Sequence, residues 1–181
     1  RQWKNKAITD LYVPGSVFKL ITTSAAIDSG TCTPNSSFNC TGHYTVVTQD
    51  YSCADNGFGV LGVHGWQNMG EVLKNSCNLA TIQEAQLMGK DVFSDYYNAF
   101  GFTAPTGVDL PAEQQIRAGV SYHAAEEMSA VDLASSSFGQ AQKVTPIQMI
   151  TAVSAVVNGG YLVQPHIVSQ ILDSEGNLVE Q

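Results

Sequence analysis

Residues 5–22 read NKAITDLYVPGSVFKLIT, and the six residues Pro14, Gly15, Ser16, Val17, Phe18 and Lys19 govern how the rest is understood. Pro14 and Gly15 mark a turn. Behind them Val17, Leu20, Ile21, Ser24, Ala25 and Ile27 keep largely to one small or apolar side, which predicts a helix over Ser16–Ser29 with Gly30 to end it. A serine at the start of such a helix lies beside unpaired backbone N–H groups and the positive end of the dipole. Negative charge developing on an adduct of its oxygen is favoured there. Lys19, three residues on, projects from the same face and can approach the hydroxyl. A lysine is a base only when neutral, and burial at a helix N-terminus disfavours the ammonium, lowering its pKa from about 10.4 toward working pH. Acyl transfer by a Ser/Lys pair then becomes possible. A serine followed three residues later by a lysine is by itself a common string; the turn before it and the apolar helix behind it are what give it weight.

Ser76, Cys77 and Asn78 form the second element of interest. Trp66 to Lys74 has helical spacing through Met69, Val72 and Leu73, and the spacing resumes over Leu79 to Met88. Ser76 and Asn78 are therefore expected at a junction, where side chains can point into a cleft. A hydroxyl there can relay a proton, and a carboxamide offers a donor and an acceptor to an amide substrate. The plainer reading is a helix junction held by capping residues.

Elsewhere, residues 31–65 read as a long loop region with a short run of strand character at Tyr44–Thr48. Asp91 can cap a short helix carrying Phe93, Tyr96, Tyr97 and Phe100, closed by Gly101, the aromatic cluster being a core feature. Residues 103–119 are turn-rich, and a helix is expected from about Ala124 to Ser135. Thr145, Pro146 and Gln148 form a capping box that opens a helix through Ile147, Ile150, Val153 and Val157, which Asn158, Gly159 and Gly160 stop. Residues 161–163, 166–172 and 178–180 read as strands. Helices first and strands last imply an α+β fold: a helical part plus an incomplete antiparallel sheet.

With 181 residues, 44% apolar and 13% charged, the chain can bury a real core as one domain. A net charge of −8 with only eight Lys and Arg argues against nucleic-acid binding. No stretch approaches the roughly 18 consecutive apolar residues of a membrane span, and residues 1–10 lack signal-peptide order, so any anchor is expected outside this chain. Four cysteines, Cys32, Cys40, Cys53 and Cys77, are too few for a disulfide scaffold and form no paired CxxC knuckles. Cys40, His43, Cys53 and His64 have the ligand chemistry of a zinc site, but their loop spacing fits no established pattern; a Cys40–Cys53 disulfide and unpaired thiols are the alternatives. No metal and no cofactor is assigned on this basis. Cys77 is expected to pack beside Ser76, and His123 and His166, without a serine or carboxylate partner at meaningful spacing, are read as structural.

The 5–22 segment resembles the first motif of the penicillin-binding protein transpeptidases. HGWQNMGEVLKNSCNLA, residues 64–80, is similar to their SxN segment with its preceding His and Gly. FGFTAPTGVDLPAE, residues 100–113, resembles the family's FGFGxxTGIDLPGE, and residues 136–168, from SSFGQ to PHIV, resemble its SFGQ…TPLQM…NGG…PHIV run. The matches are colinear from about Arg1 to Val168. Leu20 directly after Lys19, where bifunctional enzymes often have proline, places the resemblance with the monofunctional class B type of division or sporulation enzymes.

What the resemblance implies is a serine D,D-transpeptidase of peptidoglycan cross-linking. Ser16 would be the nucleophile, Lys19 the base, Ser76 the proton relay and Asn78 a ligand for the substrate backbone. Gln140 would line the cleft. Stem peptides ending in D-Ala-D-Ala would be the donors, and β-lactams would acylate the same serine, at the extracytoplasmic face of the bacterial cell membrane. The family's KTG or KSG motif does not occur in the sequence, so residues 1–181 are expected to be the N-terminal and central part of the domain. The missing C-terminal strands would lie further along or in a separate chain, and the isolated chain is expected to be inactive. Two further readings share these motifs. A class A β-lactamase needs a deacylating glutamate in an ExxLN loop, which is absent here, and a β-lactam sensor or noncatalytic penicillin-binding module would carry a different partner domain.

Overall fold

Asn5 opens the first element by accepting the Ala7 N–H on its side-chain oxygen at 3.1 Å, and α1 (Lys6–Thr9) follows. The computed structural model describes residues 4–53 and 62–180. A 3-10 turn (Gly15–Phe18) then leads into α2 (Lys19–Asp28), so the helix expected over Ser16–Ser29 is present but begins in a tighter winding. Next come β1 (Ser37–Cys40), β2 (His43–Val46), β3 (Gln49–Ser52) and β4 (Gly65–Asn68), then α3 (Met69–Lys74), α4 (Asn78–Ala99), α5 (Ala130–Ser137) and α6 (Pro146–Val157). β5 (Ile171–Leu172) and β6 (Leu178–Glu180) close the order.

The core lies between α2 and α4. Ile21, Ala25 and Ala26 of α2 and Leu79, Ala80, Ile82 and Ala85 of α4 are all buried. Phe18, the residue before α2, is 1% exposed, and its ring centroid lies 5.3 Å from that of Phe102 and 5.9 Å from that of Tyr97. Burying a side chain of this size contributes about 1.5–3 kcal/mol, and it anchors the turn that carries Ser16. Polar pins tie α2 to both α5 and α4: Thr22 Oγ1 donates to the Ser137 carbonyl at 2.7 Å, and Thr23 Oγ1 to Glu84 Oε2 at 2.8 Å. Gly89, with φ 75° and ψ 164°, interrupts α4, which separates a first piece from the aromatic-bearing second piece in the way the sequence suggests.

Strand pairing departs from expectation. β1 pairs antiparallel with β4, placing Cys40 opposite Gly65, and β2 with β3, placing His43 opposite Ser52. Residues 31–65 thus carry three strands and part of β4. Trp66 belongs to β4 rather than to a helix: it is 71% exposed while Gln67 is 2% exposed, the alternation of a strand. The helix starts only at Met69, because Asn68 and Glu71 form a reciprocal capping box. Ser129 and Asp132 do the same for α5, which starts later than the sequence suggests. Thr145 and Gln148 cap α6 as expected.

Residues 161–170 form no strand. The Ile167 and Val168 N–H groups, which a ladder would use, both donate to the Asp109 carboxylate at 2.7 Å. Among the described residues the β structure is three two-stranded antiparallel ribbons beside the helices, a mixed α+β architecture.

Candidate active site

The 3-10 winding of Gly15–Phe18 decides the geometry of the Ser/Lys pair. At three residues per turn, positions i and i+3 eclipse, so Lys19 falls in line with Ser16 rather than being offset around a helix. Lys19 Nζ stands 3.1 Å from Ser16 Oγ. Ser16 is exposed and Lys19 is 1% exposed, which sets an accessible hydroxyl over a sheltered amine.

Nζ donates on its other side to Ser76, to the hydroxyl oxygen at 2.8 Å and to the carbonyl oxygen at 2.6 Å. Lys19 thus reaches Ser76, 57 positions further along the chain, with the same amine that faces Ser16. Ser76 reaches it because of how α3 ends. The Ser76 N–H donates to Leu73 O at 3.1 Å and the Cys77 N–H to Val72 O at 3.0 Å, the paired bonds of a Schellman motif, with Ser76 at the left-handed position, φ 50°. Glycine is usual there, and a side chain costs about 1 kcal/mol. The strain falls on the residue whose hydroxyl and carbonyl both serve Lys19.

Burial holds the Lys19 pKa down to about 8 from its ordinary 10.5, against an opposing pull from Cys53 and Cys77. Near neutral pH a usable fraction of the amine is therefore unprotonated. The Asn78 side chain donates to the Ser52 carbonyl at 3.3 Å and borders an open cleft of about 450 Å³ lined also by Ser135 and Gln140. A larger cavity, about 820 Å³ between residues 4–9 and 110–120, is lined by none of Ser16, Lys19, Ser76 or Asn78.

The backbone on the far side of Ser16 is held by residues late in the chain. Tyr12 bridges Val144 through bonds of 2.9 and 3.0 Å, and the Gly15 N–H donates to Gly139 O at 3.0 Å. Sequence reasoning reached Gln140 but not Gly139; the FGQ string was the available signal. His123 Nε2 lies 3.7 Å from Asp132, a carboxylate already engaged in capping α5, and forms no triad.

Behind Ser76 the four residues Cys40, Cys53, His64 and Cys77 converge. All four cysteines are free and buried, so the Cys40–Cys53 disulfide is not formed, and exposed His43 stands outside the group. The hydrogen bond between the Cys53 and Cys77 thiols pulls Cys53 down to about 7 and pushes Cys77 up to about 12.

An exposed serine, an eclipsed and partly neutral lysine and a second serine on a helix junction thus meet at one amine. The sequence matches the family model of the penicillin binding protein transpeptidase domain over residues 1–181, and the chain belongs to that family. Stage V sporulation protein D of Bacillus subtilis is 36% identical over 171 residues, 94% of this chain and 25% of its own length. The probable peptidoglycan D,D-transpeptidase FtsI of Caulobacter vibrioides is 28% identical over 159 residues, 86% of this chain and 24% of its own. The chain therefore spans about a quarter of these relatives. Among solved structures, penicillin-binding protein 3 of Mycobacterium tuberculosis complexed with ampicillin superimposes with a TM-score of 0.86 at 26% identity, covering 100% of this chain and 38% of that one.

Proposed function

We propose that the chain carries the nucleophile-bearing part of a class B serine D,D-transpeptidase acting in peptidoglycan cross-linking, with Ser16 as the acylated residue. The observation that carries this reading is the single amine of Lys19 bonded to both Ser16 Oγ and Ser76 Oγ. Neutral Lys19 takes the Ser16 proton as Oγ attacks the carbonyl of the penultimate D-alanine of a stem peptide. The proton passes by way of Ser76 to the nitrogen of the terminal D-alanine, which departs and leaves an ester on Ser16. An amine from a neighbouring strand then attacks that ester, forming the cross-link and returning the proton to Ser16. Asn78, at the edge of the cleft, binds the substrate's peptide backbone.

A β-lactam follows the first half of the route. Its ring amide opens on Oγ, but the nitrogen stays tethered, so the adduct persists. The relative complexed with ampicillin is consistent with such an encounter in this family. The reading assigns the KTG- or KSG-bearing strands to polypeptide outside residues 1–181 and the site of action to the extracytoplasmic face of the membrane. None of the described helices is long and apolar enough to cross a membrane.

The test is intact-mass and peptide mapping of the full-length protein after incubation with a penicillin. A stable adduct on the peptide containing Ser16, lost in Ser16→Ala, is expected. Rapid release of hydrolysed penicillin would favour a β-lactamase, and an adduct on another serine would overturn the assignment.

A further inference from the structure

Cys40 ends β1, Cys53 follows β3, His64 precedes β4, and Cys77 precedes α4. The β1–β4 ladder sets Cys40 opposite Gly65, the neighbour of His64, and the Cys53 N–H donates to Gly42 O at 3.2 Å, which extends the β2–β3 ribbon by one rung to the short connection that follows Cys40. The result is three sulfurs and one imidazole nitrogen all within 4.8 Å of one another.

We propose that Cys40, Cys53, His64 and Cys77 form a tetrahedral site for one zinc-class divalent ion, built into the wall that presents Ser76 and Asn78. Tetrahedral zinc with Zn–S near 2.3 Å and Zn–N near 2.0 Å requires sulfur–sulfur edges of about 3.8 Å and sulfur–nitrogen edges of about 3.5 Å. Cys53 Sγ lies 3.6 Å from Cys77 Sγ and 3.4 Å from His64 Nδ1, already at those values. The three cysteines are 0–2% exposed and His64 half-buried, so the four ligands fill the coordination sphere and leave no room for an open, catalytic position.

The donor set chooses the ion. Thiolates with one imidazole and no carboxylate suit a borderline-soft metal and not calcium or magnesium, while an iron–sulfur cluster commonly takes four cysteines. Binding is a substitution without redox change: the thiols give up their protons to solvent, and neutral His64 donates a lone pair.

The ion would do two things for this fold. Two-stranded ribbons are marginal in water, and here both ribbons would be clamped to the start of α4. Cys77 also lies between Ser76 and Asn78, so holding its sulfur holds the junction that aims Ser76 at Lys19. This second effect rests on the acyl-transfer reading; the metal site does not.

The test is zinc content of the reduced full-length protein by plasma mass spectrometry after equilibration with micromolar zinc. One zinc per chain is expected, with affinity falling at least tenfold in Cys40→Ser and His64→Ala. His64→Cys, which supplies a fourth thiolate, retains the ion, and His43→Ala matches wild type. Cobalt(II) exchange gives thiolate charge-transfer bands and tetrahedral visible bands. Removing zinc with a chelator slows acylation of Ser16 by penicillin several-fold. Protein that retains no zinc, or that holds it equally in Cys40→Ser and His64→Ala, overturns the site. So does protein isolated with a Cys53–Cys77 disulfide that takes up no zinc on reduction. If neither zinc-loaded nor zinc-free protein acylates, the transpeptidase reading fails while the zinc count still decides the site.

Discussion

Gly139 lies directly against Gly15. The Gly15 N–H donates to the Gly139 carbonyl at 3.0 Å, and a Cβ on Gly139, whose φ is +84°, would run into the Gly15 carbonyl oxygen and stand 2.8 Å from its nitrogen. Both atoms it meets are backbone, so the turn that presents Ser16 would have to move. Gly139→Ala is therefore expected to lower the rate of penicillin acylation at least tenfold and to destabilise the protein by about 1 kcal/mol or more from the positive φ alone. Stopped-flow acylation and denaturant melts check it; a wild-type rate would mean that the two backbones separate without cost.

As the proposed base, the Lys19 amine should set a pH profile. With its pKa near 8, lowered by burial, the neutral form grows as pH rises, so the acylation rate should climb about tenfold per unit below that value and level off above it. Lys19→Arg, which stays charged, should lose the reaction at every pH. Rates measured from pH 6 to 9 decide, and a flat profile would remove Lys19 as the base.

Ser76 separates backbone from side chain. Ser76→Gly relieves the left-handed strain and Ser76→Ala keeps it, so the glycine variant should be the more stable of the two by about 1 kcal/mol. Both lack the hydroxyl and should acylate slowly to a similar degree. If Ser76→Gly acylates like wild type, the carbonyl contact to Lys19 is the only part of Ser76 that the reaction uses.

Glu84 is wholly buried, with Thr23 donating to one oxygen and no partner on the other among the described residues, and burial pushes its pKa to about 7 from 4.5. A raised carboxylate pKa gives stability that is fully present below the unfolded value and lost as pH rises through about 7. Glu84→Gln, which cannot ionise, should match wild type near pH 4.5 and exceed it at pH 8 by about 1–3 kcal/mol. Denaturant melts at the two pH values test the sign.

Local cues made some of this legible in the sequence. The Thr145 and Gln148 box and the Ser16 and Lys19 spacing are written within one helical turn, and both recur in the structure. Ser76 at a helix junction was also readable, but its left-handed backbone was not, because serine carries no preference for that region. The metal-type cluster was half visible. The sequence offers Cys40, Cys53 and His64 together with His43 and leaves Cys77 apart; strand register sends His43 out opposite Ser52, and the turn from α3 into α4 brings Cys77 in. Trp66 and the strand character of 161–163 and 166–170 fail for a related reason: a capping box at Asn68 and the Asp109 carboxylate claim backbone groups that periodicity alone assigns elsewhere.

The backbone pairing that flanks Ser16 also orders events in time. Thr22 is tied to Ser137 across 115 positions, and the neighbouring bonds Tyr12 to Val144 and Gly15 to Gly139 close loops of similar length. Closures of that span are entropically costly and slow, so they complete late in folding. A chain still emerging from the ribosome has its serine and lysine three residues apart yet lacks the frame that aligns them. On the acyl-transfer reading the protein is thus chemically silent until its distant halves have met, and the appearance of a reactive Ser16 would serve as a clock for the last step of folding.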